Sequence, residues 1–160
     1  MNVTELLFPL KINGILTSLL CGFIIGLERQ LSGKPTGIRT SSLICLGTYI
    51  FVAAGGLFTT NTDPSRIVGQ VITGIGFIGA GVILSREGIV IGVTSAAVIW
   101  VLAGIGVLIG LERYFTASLS ALITVIILIG MNILESLFKS FQKGVYKRIH
   151  GKPKNDTDEV

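Results

Sequence analysis

Five long apolar runs separated by short polar breaks leave this chain few folds to choose from. The runs cover residues 10–27, 38–58, 67–84, 89–109 and 115–134, and the breaks cover 28–37, 59–66, 85–88 and 110–114. Each run is close to the ~20 apolar residues a helix needs to cross a bilayer. The expected fold class is therefore all-α, a polytopic transmembrane helical bundle of five spans over residues 1–134. Composition points the same way: half of the 160 residues are apolar, 14% are charged and the mean hydropathy is +0.78, values outside those of a small soluble domain.

Five crossings put the termini on opposite sides, and the basic residues choose which side is which. One side carries Arg29, Lys34, Arg39 and Arg86, with Lys139, Lys143, Lys147, Arg148, Lys152 and Lys154 of the tail. The other carries Arg66 and Arg113, with Lys11 near the edge. The positive-inside rule then places the N-terminus outside and the C-terminus in the cytoplasm. No cleavable leader is expected, because residues 1–5 lack a basic region and no small-residue cleavage site follows the first run.

The net charge of +4 sits mostly in the tail and points to a lipid surface rather than to nucleic acid. Leu137, Phe138, Phe141, Val145 and Ile149 recur at helical spacing with lysines between them. Residues 135–151 therefore read as a basic amphipathic juxtamembrane helix on anionic lipid, or as a solvated extension of the last span. Residues 152–160 are polar and expected to be disordered. His150, at this junction, reads as a solvated side chain rather than a ligand.

Small residues mark where helices approach one another. Gly14, Ser18, Gly22 and Gly26 keep a four-residue spacing that admits a neighbouring helix closely, from the same chain or from a second copy. Gly74-Ile-Gly-Phe-Ile-Gly79 spells GxGxxG, but no strand-turn-helix context surrounds it, so it is no dinucleotide site. Gly74, Gly76, Gly79 and Gly81 read instead as packing positions, with Gly69, Thr73, Gly76 and Ala80 on one smooth face. Each glycine weakens the helix by roughly 1 kcal/mol relative to alanine. In the fourth run, Ile89-Val-Ile is β-branched, Gly92 interrupts it, and Thr94-Ser95-Ala96-Ala97 resembles a capped helix start. Two forms are open there, a continuous span and one broken near Gly92.

Polar residues gather at the two ends of the runs. Asp63 followed by Pro64 reads as an N-cap and first helical position. Arg66, Gln70 and Thr73 then share one face at the mouth of an uncharged segment, where they need partners. Asp63, Arg66 and Gln70 lie with Glu112 and Arg113 on the expected outer side. Glu28, Arg29, the turn through Arg39 and Thr40, Arg86-Glu87, and Thr94 with Ser95 lie on the other. Each group holds both signs, so each either pins helix ends as an ion-pair network or presents its side chains to a ligand.

No metal site is expected, because acids are few and an arginine stands beside nearly every one, whereas Mg²⁺ wants free carboxylates and water. No catalytic grouping, metalloprotease motif or cofactor-binding pattern occurs, so an enzyme is not expected. Cys21 and Cys45 lie inside apolar runs and read as inert packing.

The ordered set Gly22-x3-Gly26-x-Glu28-Arg29, Gly37-x-Arg39-Thr40, Asp63-x2-Arg66-x3-Gln70, Gly74-Ile-Gly-Phe-Ile-Gly-Ala-Gly81-Val-Ile and Thr94-Ser95-Ala96-Ala97-x2-Trp100 resembles the MgtC/SapB family of bacterial inner-membrane proteins. The resemblance covers roughly residues 10–130. It implies five spans with a cytoplasmic C-terminus, and a link to growth or survival under low magnesium in which the protein is regulatory rather than a carrier. Longer members carry a folded cytoplasmic domain after the last span, where this sequence has a short basic tail. The leading expectation is a non-enzymatic inner-membrane protein that modulates magnesium, ion or membrane homeostasis through a partner membrane protein. The rival is a small transporter or channel assembled as a homo-oligomer.

Overall fold

The computed structural model describes residues 7–58, 64–86 and 89–137. Among these residues the α-helices are α1 (Ile12–Leu31), α2 (Ile38–Gly55), α3 (Pro64–Val82), α4 (Val93–Gly110) and α5 (Tyr114–Leu137). All five are long and apolar enough to cross a membrane. A 3-10 turn (Gly56–Phe58) follows α2, and a short antiparallel hairpin, β1 (Leu84–Arg86) with β2 (Ile89–Ile91), joins α3 to α4. The backbone divides into one unit over Met1–Ile126 and a second over Ile127–Val160, whose described part is the end of α5.

Two helix ends show why the chain turns where it does. After Leu31, Gly33 takes φ 63 and its N–H reaches Gln30 O, while the Lys34 N–H reaches Arg29 O at 2.9 Å. That paired closure satisfies the last carbonyls of α1, and glycine accepts the left-handed backbone without a Cβ penalty. The end of α4 repeats the device with a less suitable residue. Glu112 sits at φ 60, its N–H bonded to Ile109 O and that of Arg113 to Leu108 O.

The core of the first unit lies between α1, α2 and α4. Antiparallel α1 and α2 meet at glycines: a Cβ on Gly22 would lie 2.5 Å from Ser42 Cα, and one on Gly26 would lie 2.6 Å from Ile38 Cα. Helix α4 runs parallel to α2, with Gly106 against the Cys45 carbonyl and Thr48, and Gly110 against Val52. Ile25, Cys45, Ile99, Leu102, Ile105 and Ile109 fill the space between the three helices. Half of the α4 span is buried, against 11% of the α3 span.

Of the two forms open for the fourth run, the structure has the one broken near Gly92, with the helix at Val93–Gly110 rather than over all of 89–109. Residues 89–91 pair with 84–86 as strands, Gly92 turns at φ 90, and the helix begins at Val93. A Cβ on Gly92 would run into the Val82 carbonyl, so the turn requires glycine. The run expected at 67–84 likewise ends as helix at Val82, and the first helix extends past 27 to Leu31. The expected amphipathic and disordered segments lie, beyond Leu137, outside the described residues.

Candidate functional site

The α1–α2 turn encloses the charged pair that the sequence placed in a polar break. Because α1 continues to Leu31, Glu28 and Arg29 are helical, and the turn folds over them. Their side chains are 6% and 4% exposed. Glu28 Oε1 accepts a hydrogen bond from Ser32 Oγ at 2.8 Å, and Glu28 Oε2 stands 3.5 Å from Arg29 Nη1. That separation is long for a charge-assisted hydrogen bond, which closes to about 2.7–2.9 Å. Thr36, in the same turn, is buried at φ 70, held by the Ser41 hydroxyl, which donates to the Thr36 carbonyl at 2.9 Å. Three buried side-chain atoms of these residues have no hydrogen-bond partner among the described residues: Glu28 Oε2, Arg29 Nε and Thr36 Oγ1.

The other residues expected at this end of the bundle separate. Ser95 is buried in the first turn of α4, whereas Thr94, Arg39 and Thr40 are exposed. The parallel register that sets Gly106 beside Cys45 and Thr48 puts Ser95 near the level of the α1–α2 turn. Gly92 caps α4 without a side-chain hydrogen bond, so the first N–H groups of that helix have no side-chain acceptor from the cap.

At the opposite end, Arg66 and Gln70 project from α3 and are exposed. Thr73 is exposed too and donates its hydroxyl back to Gly69 O at 2.9 Å. Among the described residues, the ion pairs are Arg29–Glu28 and Lys11–Glu112, and Arg66 takes part in neither. Asp63 lies outside the described residues. Of the packing glycines on α3, a Cβ on Gly79 would lie 3.7 Å from the Ala96 carbonyl oxygen of α4, while the described residues put nothing within 4 Å of a Cβ on Gly69, Gly74, Gly76 or Gly81. The face that carries Arg66 and Gln70 therefore has no partner within the chain's described part.

Sequence reasoning missed a clasp at this end. Lys11 Nζ bonds Glu112 Oε1 at 2.8 Å across 101 positions, and the Tyr49 hydroxyl accepts from the Lys11 N–H at 2.6 Å. The hydrogen bond to Glu112 holds the Lys11 ammonium above the ordinary lysine value. Ser32, Thr36 and Ser41 were missed as well; the Ser-Gly after α1 was the available signal, since it marks the closure where Ser32 meets Glu28.

Among the described residues no group of three or more His, Cys, Asp or Glu could hold a metal ion. What the arrangement provides is a sealed charge pair at one end and an open polar helix face at the other.

The family model described as MgtC family matches residues 15–137. Protein MgtC of Salmonella typhimurium (strain LT2) is 44% identical over 136 residues, covering 84% of this chain and 55% of the relative. YhiD of Escherichia coli (strain K12), whose name proposes a magnesium transporter, is 43% identical over 122 residues, 71% of this chain and 56% of the relative. An uncharacterized Haemophilus influenzae protein is 40% identical over 129 residues, covering 74% and 53%. The chain spans about half the length of the curated relatives it matches. No solved structure matches.

Proposed function

The chain belongs to the MgtC family of multi-pass inner-membrane proteins, and we propose that it acts there without enzymatic chemistry, modulating magnesium or ion homeostasis by contact with a partner membrane protein. The supporting observation is the exposed α3 face. Arg66 and Gln70 are polar groups at the mouth of an apolar helix, and the described residues supply neither with a partner. In hydrocarbon such groups are costly and seek partners, and the open glycines beside them allow another helix to approach. The N-terminus faces out and the tail faces the cytoplasm, by the basic-residue imbalance. This reading places Arg66, Gln70 and the contact on the outer side.

A transporter is the second reading. The interrupted start of α4 at Gly92 favours it, since a helix N-terminus without a side-chain cap can receive an anion or carboxylate. Against it, the space between α1, α2 and α4 is filled by apolar side chains, so a pathway would have to run between copies. Flux into proteoliposomes of purified protein, with Mg²⁺ and a panel of ions, separates the two. The modulator reading predicts none from folded protein. Saturable flux abolished by Arg66→Ala or Arg39→Ala would establish the transporter.

A further inference from the structure

The β1–β2 hairpin joins exposed apolar side chains to a backbone that cannot enter hydrocarbon. Leu84 and Ile91 are cross-strand partners, and with Ile83 and Val93 at the two joins they are between 40% and 56% exposed. We propose that the hairpin lies in the boundary between headgroups and acyl chains of one lipid leaflet. Its Leu84–Ile91 side rests on the acyl chains, and its Ser85–Val90 side faces the headgroups and water.

Backbone and side chains each exclude one alternative. The sheet has two strands of three residues, so both outer edges carry N–H and C=O groups with no ladder partner among the described residues. In the bilayer core such groups find no water, and an open sheet edge is not tolerated there. In bulk water, the neighbouring large aliphatic side chains form more than the single scattered exposures that a protein surface normally carries. The interface satisfies both demands, because the edges bond water and headgroups while an apolar face sinks into the acyl boundary.

Helix register sets the depth. Gly106 packs beside Cys45 and Thr48, and Gly110 beside Val52, so the first turn of α4 is level with the α1–α2 turn. Lys34 in that turn is exposed, and a lysine ammonium keeps to headgroup depth or to water. The hairpin meets α4 through Gly92 and therefore begins at the same depth.

Strand register sets the side. Residues directly opposite share a face, and successive residues alternate. Leu84, Ile89 and Ile91 therefore lie on one side, and Ser85 and Val90 on the other. The side with three large aliphatic residues goes to the lipid. A strand from another protein is the poorer occupant, because three residues are the lower limit of strand length and offer a short edge for pairing.

This surface lies at the other end of the bundle from Arg66, and neither a partner contact there nor transport enters its test. Trp100 is the single tryptophan of the chain and is exposed, so Trp100→Phe clears the background without opening the core. Leu84→Trp and Ser85→Trp, each in that background, then place one indole on each side of the hairpin. The purified full chain is reconstituted in phosphatidylcholine–phosphatidylglycerol vesicles whose acyl chains are brominated near the headgroup, at the middle or at the far end. Quenching by these lipids is compared with quenching by aqueous acrylamide.

The expected result is that bromine near the headgroup quenches Leu84→Trp several-fold more than bromine at the far end, while acrylamide reaches it weakly. Ser85→Trp should show the opposite balance, strong with acrylamide and weak with bromine. Leu84→Trp open to acrylamide and indifferent to bromine would place the hairpin in water. Shielding from both quenchers would mean that protein covers it, and strongest quenching from the far end would sink it into the core. Each of these overturns the proposal, as does equal behaviour at the two positions. Ile91→Trp, directly across from Leu84, repeats the reading on the second strand, so a misfolded Leu84→Trp does not decide the outcome.

Discussion

Helices α1 and α3 each carry closely spaced glycines and polar side chains at one end, but they meet different surroundings. On α1, Gly22 and Gly26 touch the backbone of α2, and Glu28 and Arg29 are covered by the turn that follows. On α3, Gly69, Gly74, Gly76 and Gly81 have none of the described residues within 4 Å of an added Cβ, and Arg66 and Gln70 stand exposed. A glycine in a helix costs the same backbone entropy in either setting. In α1 close packing within the chain offsets that cost. In α3 the described residues offer no such compensation at these positions, and on the proposed reading the inward helix serves stability and the outward one contact.

The largest expected effect is on the inward side. Glu28→Ala leaves the Arg29 guanidinium buried without its counter-charge, a loss of about 3–5 kcal/mol, visible as a collapse in thermal stability and membrane yield. Tolerance of this change would mean that the turn opens readily. Gly22→Ala comes next, because its Cβ would press on the Ser42 backbone at 2.5 Å. Overpacking of this kind costs about 1–3 kcal/mol, measured as a lower melting temperature.

The matching change on α3 should reverse sign. Gly76→Ala meets open space and should leave the isolated protein unchanged or up to about 1 kcal/mol more stable. A destabilised Gly76→Ala would erase the contrast between the two helices. The smallest effect belongs to the Lys11–Glu112 clasp. Both side chains are more than half exposed, so Lys11→Ala should barely move the melting temperature. The Lys11 value is raised on folding. Its contribution is therefore complete at neutral pH and fades only as pH climbs from the ordinary lysine value through the raised one. A titration of melting temperature against pH should stay flat for this pair below that window.

The five spans were legible because each needs only a long apolar run, and among the described residues five helices are able to cross. Their ends were less so. Glu28 and Arg29 look like the limit of a span when charge alone is read, yet Gly33 closes the helix later and folds the turn back over them. The fourth helix begins at Val93 because Ile89–Ile91 finds a strand partner in Leu84–Arg86, a pairing that local hydropathy does not reveal. The α3 glycines could not be told from those of α1, since spacing states that a face is smooth and not what lies against it. Lys11 and Glu112 are joined only by the fold, across 101 positions, with no local pattern to announce them.

The most direct test of the outward assignment is the double variant Arg66→Ala/Gln70→Ala, expressed in cells limited for magnesium, with growth and membrane protein level measured together. The account predicts that the protein accumulates as wild type does while its support of growth is lost. A fall in protein level matching the fall in growth would make Arg66 and Gln70 parts of the scaffold, and full growth at normal level would leave the exposed face of α3 without a function.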